Sequence, residues 1–163
     1  AVLFTGTIRS NLQFGNPKAT ENEMWLALRV AKAADFVKEA GGLDAKVEQS
    51  GSNFSGGQRQ RLAIARTIIK PASIYIFDDS FSALDFKTDA ELRQALKQDS
   101  QLQNAVSVIV AQRVSTVANA DLIIVLDDGK VVGQGTHEQL MKDNPVYQEI
   151  VYSQIAKGAD QNA

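Results

Sequence analysis

The feature that most constrains the fold is a glycine-rich turn, residues 55–58 (SGGQ), placed directly before a helix pattern. Glycines allow a backbone to approach a ligand closely, and the free N–H groups at the start of a helix favour an anion. Apolar residues recur at helical spacing over residues 59–69, and Pro71 ends the pattern. This stretch therefore predicts a helix whose glycine-rich start faces a phosphate group.

A short β-rich run follows this helix and ends in two carboxylates. Residues 73–77 (SIYIF) are apolar enough to form a buried parallel strand. Asp78 and Asp79 stand at its carboxyl end, where such strands usually present functional groups, and the segment 82–85 (SALD) follows at once. The turn, the helix and the acid-tipped strand together predict a site for a magnesium-bound nucleotide.

The same stretch resembles the nucleotide-binding domain of ATP-binding cassette (ABC) transporters. Residues 54–58 (FSGGQ) resemble the family's signature motif, residues 74–78 its Walker B strand, and residues 82–85 its D-loop. A lone SGGQ could be an ordinary flexible loop, but three motifs in the family's order and spacing form a specific match. The resemblance covers nearly the whole chain.

Two further segments resemble exporters within this family. Residues 3–11 (LFTGTIRSN) resemble the text that follows the family's Q-loop glutamine, and residues 145–150 (PVYQEI) resemble exporter C-termini. No segment has the G-x-x-x-x-G-K-[ST] pattern of a P-loop, whose lysine reaches the β- and γ-phosphates. In the family the P-loop lies upstream of the text at residues 3–11, so we expect the chain to be the C-terminal part of a nucleotide-binding domain.

The resemblance implies an α/β fold: a partial P-loop NTPase (RecA-like) sheet with an ABC-specific helical subdomain, lacking the Walker A strand and the P-loop. We expect the helical subdomain over about residues 8–70, the partial core with the C-terminal helices over about residues 71–156, and a tail over residues 157–163. A sheet without the Walker A strand should have open edges.

Capping signals predict where two other helices begin. Thr20 with Glu23 forms a capping-box pattern, and the apolar stripe that follows predicts one helix ending at the glycine pair 41–42. Thr88 with Glu91 forms the same pattern and predicts the start of a helix beyond the D-loop segment.

Strand and turn signals dominate the last third of the chain. Residues 105–111 (AVSVIVA) predict a second buried strand, and residues 122–126 predict a third. Asp128 and Gly129 form a strong two-residue hairpin signal that joins the third strand to a fourth.

The C-terminal residues predict two helices and a tail. Thr136 with Gln139 caps a short helix, and Pro145 is well placed as the first residue of a last helix. Residues 157–163 have too little apolar content to pack. His137, the only histidine, is expected to have a structural role because neither a second histidine nor any cysteine could complete a metal site with it.

The resemblance also implies roles for individual residues. Asp78 takes the position that holds Mg²⁺ through water. Asp79 takes the position of the catalytic glutamate, which orients and deprotonates the attacking water, but its side chain is one methylene shorter, a difference of roughly 1.5 Å. Gln112 takes the position of the switch histidine; it can hydrogen-bond a γ-phosphate but cannot carry charge or act as an acid or base.

These two substitutions together resemble the degenerate subunit of heterodimeric ABC exporters. In that family two cassettes sandwich two ATP molecules, each held by the P-loop of one subunit and the signature of the other. The resemblance therefore implies that an intact signature completes the ATP site of a partner subunit in trans, with the D-loop Asp85 beside it. The signature residues are Ser55, Gly56, Gly57 and Gln58. It also implies that Asp78, Asp79 and Gln112 belong to a site that binds ATP and hydrolyses it slowly or not at all.

Composition narrows the partners and the location. The 163 residues carry a formal net charge of −2, which does not indicate a nucleic-acid-binding surface. There is no cysteine, no apolar run of roughly 18 residues and no signal peptide, so the chain itself reads as a soluble domain. The resemblance implies ATP and Mg²⁺ as cofactors, and a second ABC subunit and the parent protein's own transmembrane domain as partners. It implies a location at the cytoplasmic face of the membrane.

Three functions compete for this sequence. The first is the ATPase part of an exporter, in which case the parent protein hydrolyses ATP while the isolated chain neither binds nor hydrolyses it. The second is a soluble ABC ATPase acting in translation or DNA repair, which a basic patch or a long coiled-coil insertion would favour; the sequence has neither. The third is a non-enzymatic interaction module, which the missing P-loop favours and the intact turn at residues 55–58 does not.

Overall fold

The computed structural model describes the backbone of residues 2–160 and the side chains of residues 2–155. The chain divides after Val110 into two compact units, which are described separately below. Helices and short strands are mixed in both units, as predicted for a partial α/β NTPase fold. In chain order the elements are β1 (Gly6–Thr7), α1 (Ile8–Gly15), α2 (Glu21–Val30), α3 (Ala34–Glu39), β2 (Lys46–Val47), a 3₁₀ turn (Gln49–Gly51), α4 (Gly56–Ile68), β3 (Ile74–Asp78), α5 (Phe86–Gln98), α6 (Ser100–Gln103), β4 (Val106–Val110), α7 (Val114–Val117), β5 (Ile123–Asp127), β6 (Lys130–Gly135), α8 (His137–Asp143) and α9 (Pro145–Asp160).

The core of the first unit forms where α1 and α2 pack against α4. Each helix contributes apolar residues at helical spacing, among them Leu12, Leu28 and Ile64, all of which are almost fully buried. A β-carbon at Gly15 would collide with the carbonyl oxygen of Arg66, so α1 approaches α4 this closely only with glycine at that position.

The prediction of a single helix between residues 20 and 41 is wrong, because the structure has two helices there, α2 and α3. The break falls at Lys32, whose φ is +55°. Ala31 and Ala33 are both fully buried, and residues two apart point in nearly opposite directions on one helix. The chain therefore leaves the helical conformation between them, and the Arg61 guanidinium donates a hydrogen bond of 2.7 Å to the Lys32 carbonyl at the break.

The parallel strand predicted before the acidic residues is present, but only one of its faces is buried. Strand β3 pairs with β4 in parallel, from Ile74 opposite Val106 to the last residues of both strands. Tyr75 and Phe77 are 2% exposed, whereas Ile74 and Ile76 on the opposite face are 59% and 65% exposed. The predicted parallel strand is therefore present with one face buried, and nothing in the described residues covers its second face.

The described strands form three separate two-stranded sheets rather than one partial sheet. Two of them belong to the first unit: the antiparallel pair β1–β2 and the parallel pair β3–β4. The third is the β5–β6 hairpin of the second unit, which confirms the predicted hairpin. Asp128 and Gly129 take φ values of +47° and +73°, the left-handed conformation that a tight two-residue hairpin turn requires.

The helices of the second unit follow their predicted starts. Thr136 and Gln139 form the predicted capping box at α8, and α9 begins at Pro145 as predicted. The predicted tail is helical over residues 157–160, because α9 continues to Asp160; residues 161–163 lie outside the described part of the chain. None of the helices in the described residues combines the length and the hydropathy needed to cross a bilayer.

Candidate nucleotide-binding site

The glycine-rich turn forms the first turn of α4 and is closed by a reciprocal capping box. Ser55 is the N-cap: its Oγ accepts a hydrogen bond from the Gln58 backbone N–H at 3.2 Å, and the Gln58 side chain accepts one from the Ser55 N–H at 2.9 Å. The helix therefore begins at Gly56, three residues before the predicted start. The turn lies at the N-terminal end of a helix of 13 residues, and the positive end of the helix dipole there favours an anion.

The two glycines of this turn allow it to pack against the D-loop segment. A β-carbon at Gly57 would lie 3.1 Å from the Ala83 carbonyl oxygen and 3.4 Å from Leu84 Cδ2. A β-carbon at Gly56 would lie 3.4 Å from the Ala83 β-carbon. Neither glycine has a positive φ, so close approach between the two segments, rather than an unusual backbone conformation, is what glycine provides here.

The two carboxylates differ in their surroundings. Asp78 is the last residue of β3 and is exposed. Asp79 follows with φ at +46°, and its N–H donates to the Val110 carbonyl at 3.0 Å, which fixes it at the end of β4. The Ser82 hydroxyl donates to the Asp79 carboxylate at 3.0 Å, so this carboxylate is held toward the D-loop segment.

The donor set at this strand end fits a magnesium ion that is only partly bound by protein. Mg²⁺ keeps several waters and is usually held by one or two carboxylates together with substrate phosphates. The exposed Asp78 carboxylate can hydrogen-bond one of the waters of such an ion. The described residues contain no group of three or more histidine, cysteine or acidic side chains that could form an all-protein cage.

Asp85, predicted as a D-loop residue beside the nucleotide, caps α5. Its carboxylate accepts hydrogen bonds from the Thr88 backbone N–H at 2.9 Å and from the Thr88 hydroxyl at 2.7 Å. The predicted helix start at Thr88 is therefore wrong by three residues, because Asp85 is the better N-cap. These hydrogen bonds from Thr88 hold the pKa of the Asp85 carboxyl below its ordinary value.

This cap predicts a pH-dependent effect on stability. We expect Asp85→Ala to lower the melting temperature, and Asp85→Asn to retain most of it, because asparagine caps about as well as aspartate. The folded-state pKa is lowered, so the carboxylate stabilises the fold above its unfolded-state pKa of about 3.9 and loses that effect as pH falls through the folded-state value.

The gap in melting temperature between wild type and Asp85→Ala should therefore narrow as the pH falls below about 4 and through the lowered folded-state pKa. Thermal unfolding followed by circular dichroism measures it. Equal losses in the alanine and asparagine variants would contradict the capping role.

The residue that joins these parts is Gln60, which sequence reasoning missed. It lies on α4 one turn after the glycines and is only 7% exposed. Its amide bonds to Asp79, Ser82 and Ala83 at distances of 2.9 to 3.1 Å. The sequence does contain a signal for Gln60. It precedes the buried Ile64 and Ile68 by four and eight residues, and this helical spacing places a polar side chain on the apolar face of α4.

Gln112 belongs to the second unit and is exposed. Its carbonyl oxygen accepts a hydrogen bond of 2.7 Å from the Gln154 side chain, and the Gln154 oxygen accepts one of 2.9 Å from the Val114 N–H. Gln154, on α9, thus holds the backbone on both sides of Arg113. Nothing in the local sequence indicated this contact, which spans about 40 residues.

His137 occupies the first position of α8, and its contacts agree with the structural role predicted for it. Its Nδ1 lies 2.8 Å from the hydroxyl of Tyr147, a residue that is 3% exposed. Burial raises the pKa of the Tyr147 hydroxyl. The pair links the start of α8 to α9.

The fold and this site together define a class of protein. A helix begun by SGGQ packs against the loop that follows an acid-tipped parallel strand, and both lie in a mixed α/β unit. This is part of a nucleoside-triphosphate-binding fold.

Comparisons with known proteins specify the family. The family description "ABC transporter" matches residues 3–82. An uncharacterised ABC transporter ATP-binding protein of Mycobacterium bovis is 53% identical over 93% of this chain and 26% of its own length. An ATP-dependent lipid A-core flippase of Neisseria meningitidis is 44% identical over 89% of this chain and 23% of its own. A β-(1→2)glucan export ATP-binding/permease protein of Bartonella bacilliformis is 43% identical over 90% and 25%.

A solved structure of an ABC exporter has the same fold as this chain. A bacterial Atm1-family ABC exporter with ATP bound superposes with a TM-score of 0.89 at 35% identity, over 94% of this chain and 27% of its own. The chain belongs to the ABC transporter family, as part of an exporter-type nucleotide-binding domain. It spans about a quarter of the length of the curated relatives it matches.

Proposed function

We propose that this chain is part of an exporter that couples the binding and hydrolysis of ATP to transport across a membrane. The observation that supports this most is the packing of the SGGQ turn on the D-loop segment, where a β-carbon at Gly57 would lie 3.1 Å from the Ala83 carbonyl oxygen. The relatives named as a flippase and a glucan export protein favour transport over a role in translation or DNA repair.

The glycine-rich turn serves a partner subunit in this proposal. Ser55 and the N–H groups at the start of α4 bind the phosphates of an ATP molecule held by the partner's P-loop, and the helix dipole favours their negative charge. Gly56 and Gly57 keep the turn in contact with the D-loop segment, and Gln58 maintains the capping box. This subunit thereby completes an active site to which it contributes no base.

The acidic strand end serves the subunit's own, slower site. Asp78 holds Mg²⁺ through water, and the ion supplies charge neutralisation for the phosphates when it is bound. Asp79 is one methylene shorter than glutamate and is held by the Ser82 hydroxyl, so its carboxylate reaches the attacking water poorly. Gln112 hydrogen-bonds the γ-phosphate without carrying charge. This site binds ATP and hydrolyses it slowly or not at all.

The proposed assembly is a heterodimer with a second ABC subunit, joined to the parent protein's transmembrane domain at the cytoplasmic face of a membrane. Within this chain, about residues 8–70 form the helical subdomain that meets the membrane domain. About residues 71–156 form part of the RecA-like core. Both ATP and Mg²⁺ act in the assembled dimer.

The proposal is tested by calorimetric titration with Mg-ATP. Because the 163 residues contain no P-loop motif, the chain alone should give no binding heat up to about 1 mM nucleotide, an affinity limit of about −4 kcal/mol. The full-length parent assembled with its partner should bind saturably at micromolar concentrations. Saturable micromolar binding by the chain alone would mean that another loop holds the phosphates and would overturn the assignment of residues.

A further inference from the structure

We propose that Gln60 is a positioning residue that holds the signature turn to the loop beyond Asp79, and so links the two nucleotide sites of the dimer. This inference rests on the proposed function, because it concerns how the turn that serves the partner's ATP is tied to the acid of this subunit's own site.

The geometry around Gln60 is specific at both ends of its amide. Nε2 donates to the Asp79 carbonyl oxygen at 3.1 Å and to the Ser82 hydroxyl oxygen at 3.0 Å, and Oε1 accepts from the Ala83 N–H at 2.9 Å. One side chain of α4 thus satisfies three groups of a loop 19 to 23 residues away. With only 7% of its surface exposed, the amide has little access to water as an alternative partner.

The position requires an amide of this length. Glutamate has the same shape and can accept from the Ala83 N–H, but it has no hydrogen to donate to Asp79 or Ser82. Methionine fills a similar volume and can make none of the three hydrogen bonds well. Either replacement would remove hydrogen bonds that tie the loop to the helix and would weaken the hold of α4 on the loop.

Two contacts extend this link to the functional groups. The start of α4 touches the same loop, because a β-carbon at Gly57 would lie 3.1 Å from the Ala83 carbonyl oxygen. The Ser82 hydroxyl, which accepts from Gln60, donates to the Asp79 carboxylate at 3.0 Å. A continuous path of contacts therefore runs from the signature turn to the carboxylate.

This path predicts coupling between the sites. When the signature turn closes on ATP held by the partner, Gln60 carries the loop with it and shifts the Asp79 carboxylate. Conversely, a loop released from Gln60 leaves the signature turn free to move away from the partner's phosphates. Because catalysis depends on positions within about 1 Å, loss of the link should lower turnover more than it lowers nucleotide binding.

Gln101 offers a matched control for a purely structural glutamine. It is also partly buried and bridges two segments, with Nε2 bonded to the Ile68 carbonyl oxygen at 2.8 Å and to the Tyr75 hydroxyl at 2.5 Å. Neither of these two partners belongs to the signature turn or to the loop 79–85. A substitution there removes a comparable set of hydrogen bonds without touching the proposed path.

The experiment uses the full-length transporter with its partner subunit and measures kcat and KM for Mg-ATP together with the melting temperature. We expect Gln60→Met to lower kcat about tenfold with KM changed less than about twofold. Gln101→Met should lower the melting temperature to a similar extent and leave kcat within about twofold. Gln60→Glu, which keeps the shape and one hydrogen bond, should fold and still show the kcat loss, so the proposal remains testable if Gln60→Met fails to fold.

A double-mutant cycle separates positioning from general stability. If Gln60 acts through Ser82, the kcat effects of Gln60→Glu and Ser82→Ala should be non-additive, whereas those of Gln101→Met and Ser82→Ala should add. Additive effects for the Gln60 pair would overturn the proposal, as would a kcat loss in Gln101→Met that matches Gln60→Glu at equal loss of melting temperature.

Failure of this inference and failure of the proposed function give different results in the same assay. If Gly57→Asp abolishes turnover while Gln60→Glu leaves kcat unchanged, the signature serves ATP and only the positioning role is refuted. If Gly57→Asp leaves turnover unchanged, the proposed use of the signature is itself wrong.

Discussion

Gly57→Asp in the full-length transporter, assembled with its partner subunit, is expected to lower ATP turnover by about 100-fold or more, the range found when one preorganised donor to a developing negative charge is lost. Two physical effects act together. The new carboxylate places negative charge at the start of α4, where the helix dipole and free N–H groups would otherwise favour a phosphate. Its β-carbon would also lie 3.1 Å from the Ala83 carbonyl oxygen and press the D-loop segment away.

Two control variants separate charge from steric pressure. Gly57→Ala adds the β-carbon without the charge, so we expect a smaller loss than with aspartate. Ala40→Asp adds the same charge at the exposed C-cap of α3, far along the chain from the turn, and should leave turnover unchanged. Steady-state ATPase rates, with melting temperatures as a folding check, provide the measurement. Turnover within about twofold of wild type in Gly57→Asp would contradict binding of ATP by this turn.

Asp79→Glu combined with Gln112→His is expected to raise ATP hydrolysis at the subunit's own site by about tenfold to 100-fold. Glutamate extends the carboxylate by one methylene toward the attacking water, and a misplacement of about 1 Å can cost on the order of 100-fold in rate. Histidine at residue 112 adds a group that can carry charge and transfer a proton near neutral pH. Each single substitution should have a smaller effect than the pair, because the proposed function has both groups act on the same reaction.

The ATPase assay must measure hydrolysis at the subunit's own site, separately from hydrolysis at the partner's site. The partner's catalytic acid is therefore neutralised by substitution, so that the remaining hydrolysis belongs to the site containing Asp78 and Asp79. Asp127→Glu is the matched control, since Asp127 is likewise an exposed aspartate at the end of a strand, in this case β5. It should leave the rate unchanged. An unchanged rate in the double substitution would refute the interpretation of this site as degenerate.

Local patterns in the sequence were sufficient for several elements of the fold. The capping box of Thr136 and Gln139 predicted the start of α8, and Pro145 marked the start of α9. Asp128 and Gly129 predicted the hairpin turn, which forms with both residues at positive φ. In each case the interacting groups lie within four residues of one another, so the local sequence contains the whole interaction.

Predictions failed where a nearby residue competed with the local pattern or where burial overrode it. Thr88 with Glu91 is a valid capping pattern, but Asp85 lies three residues earlier and caps α5 instead. The apolar stripe after Thr20 predicted one helix, but burial of Ala31 and Ala33 against the same core required a break at Lys32. Helix periodicity alone does not show that the core will bury both of two residues two positions apart, which one continuous helix cannot place on the same face.

The sequence by itself determined the family, the order of the motifs and the identity of the residues proposed to meet ATP and Mg²⁺. Only the tertiary structure showed that Gln60 ties the signature helix to the loop after Asp79, and that Gln154 holds the backbone at residues 112–114. The physical reason is the range of the interactions. Motifs and caps are made by neighbours in the chain, whereas these two glutamines bond to groups about 20 and 40 residues away, and such pairs exist only after the chain has packed.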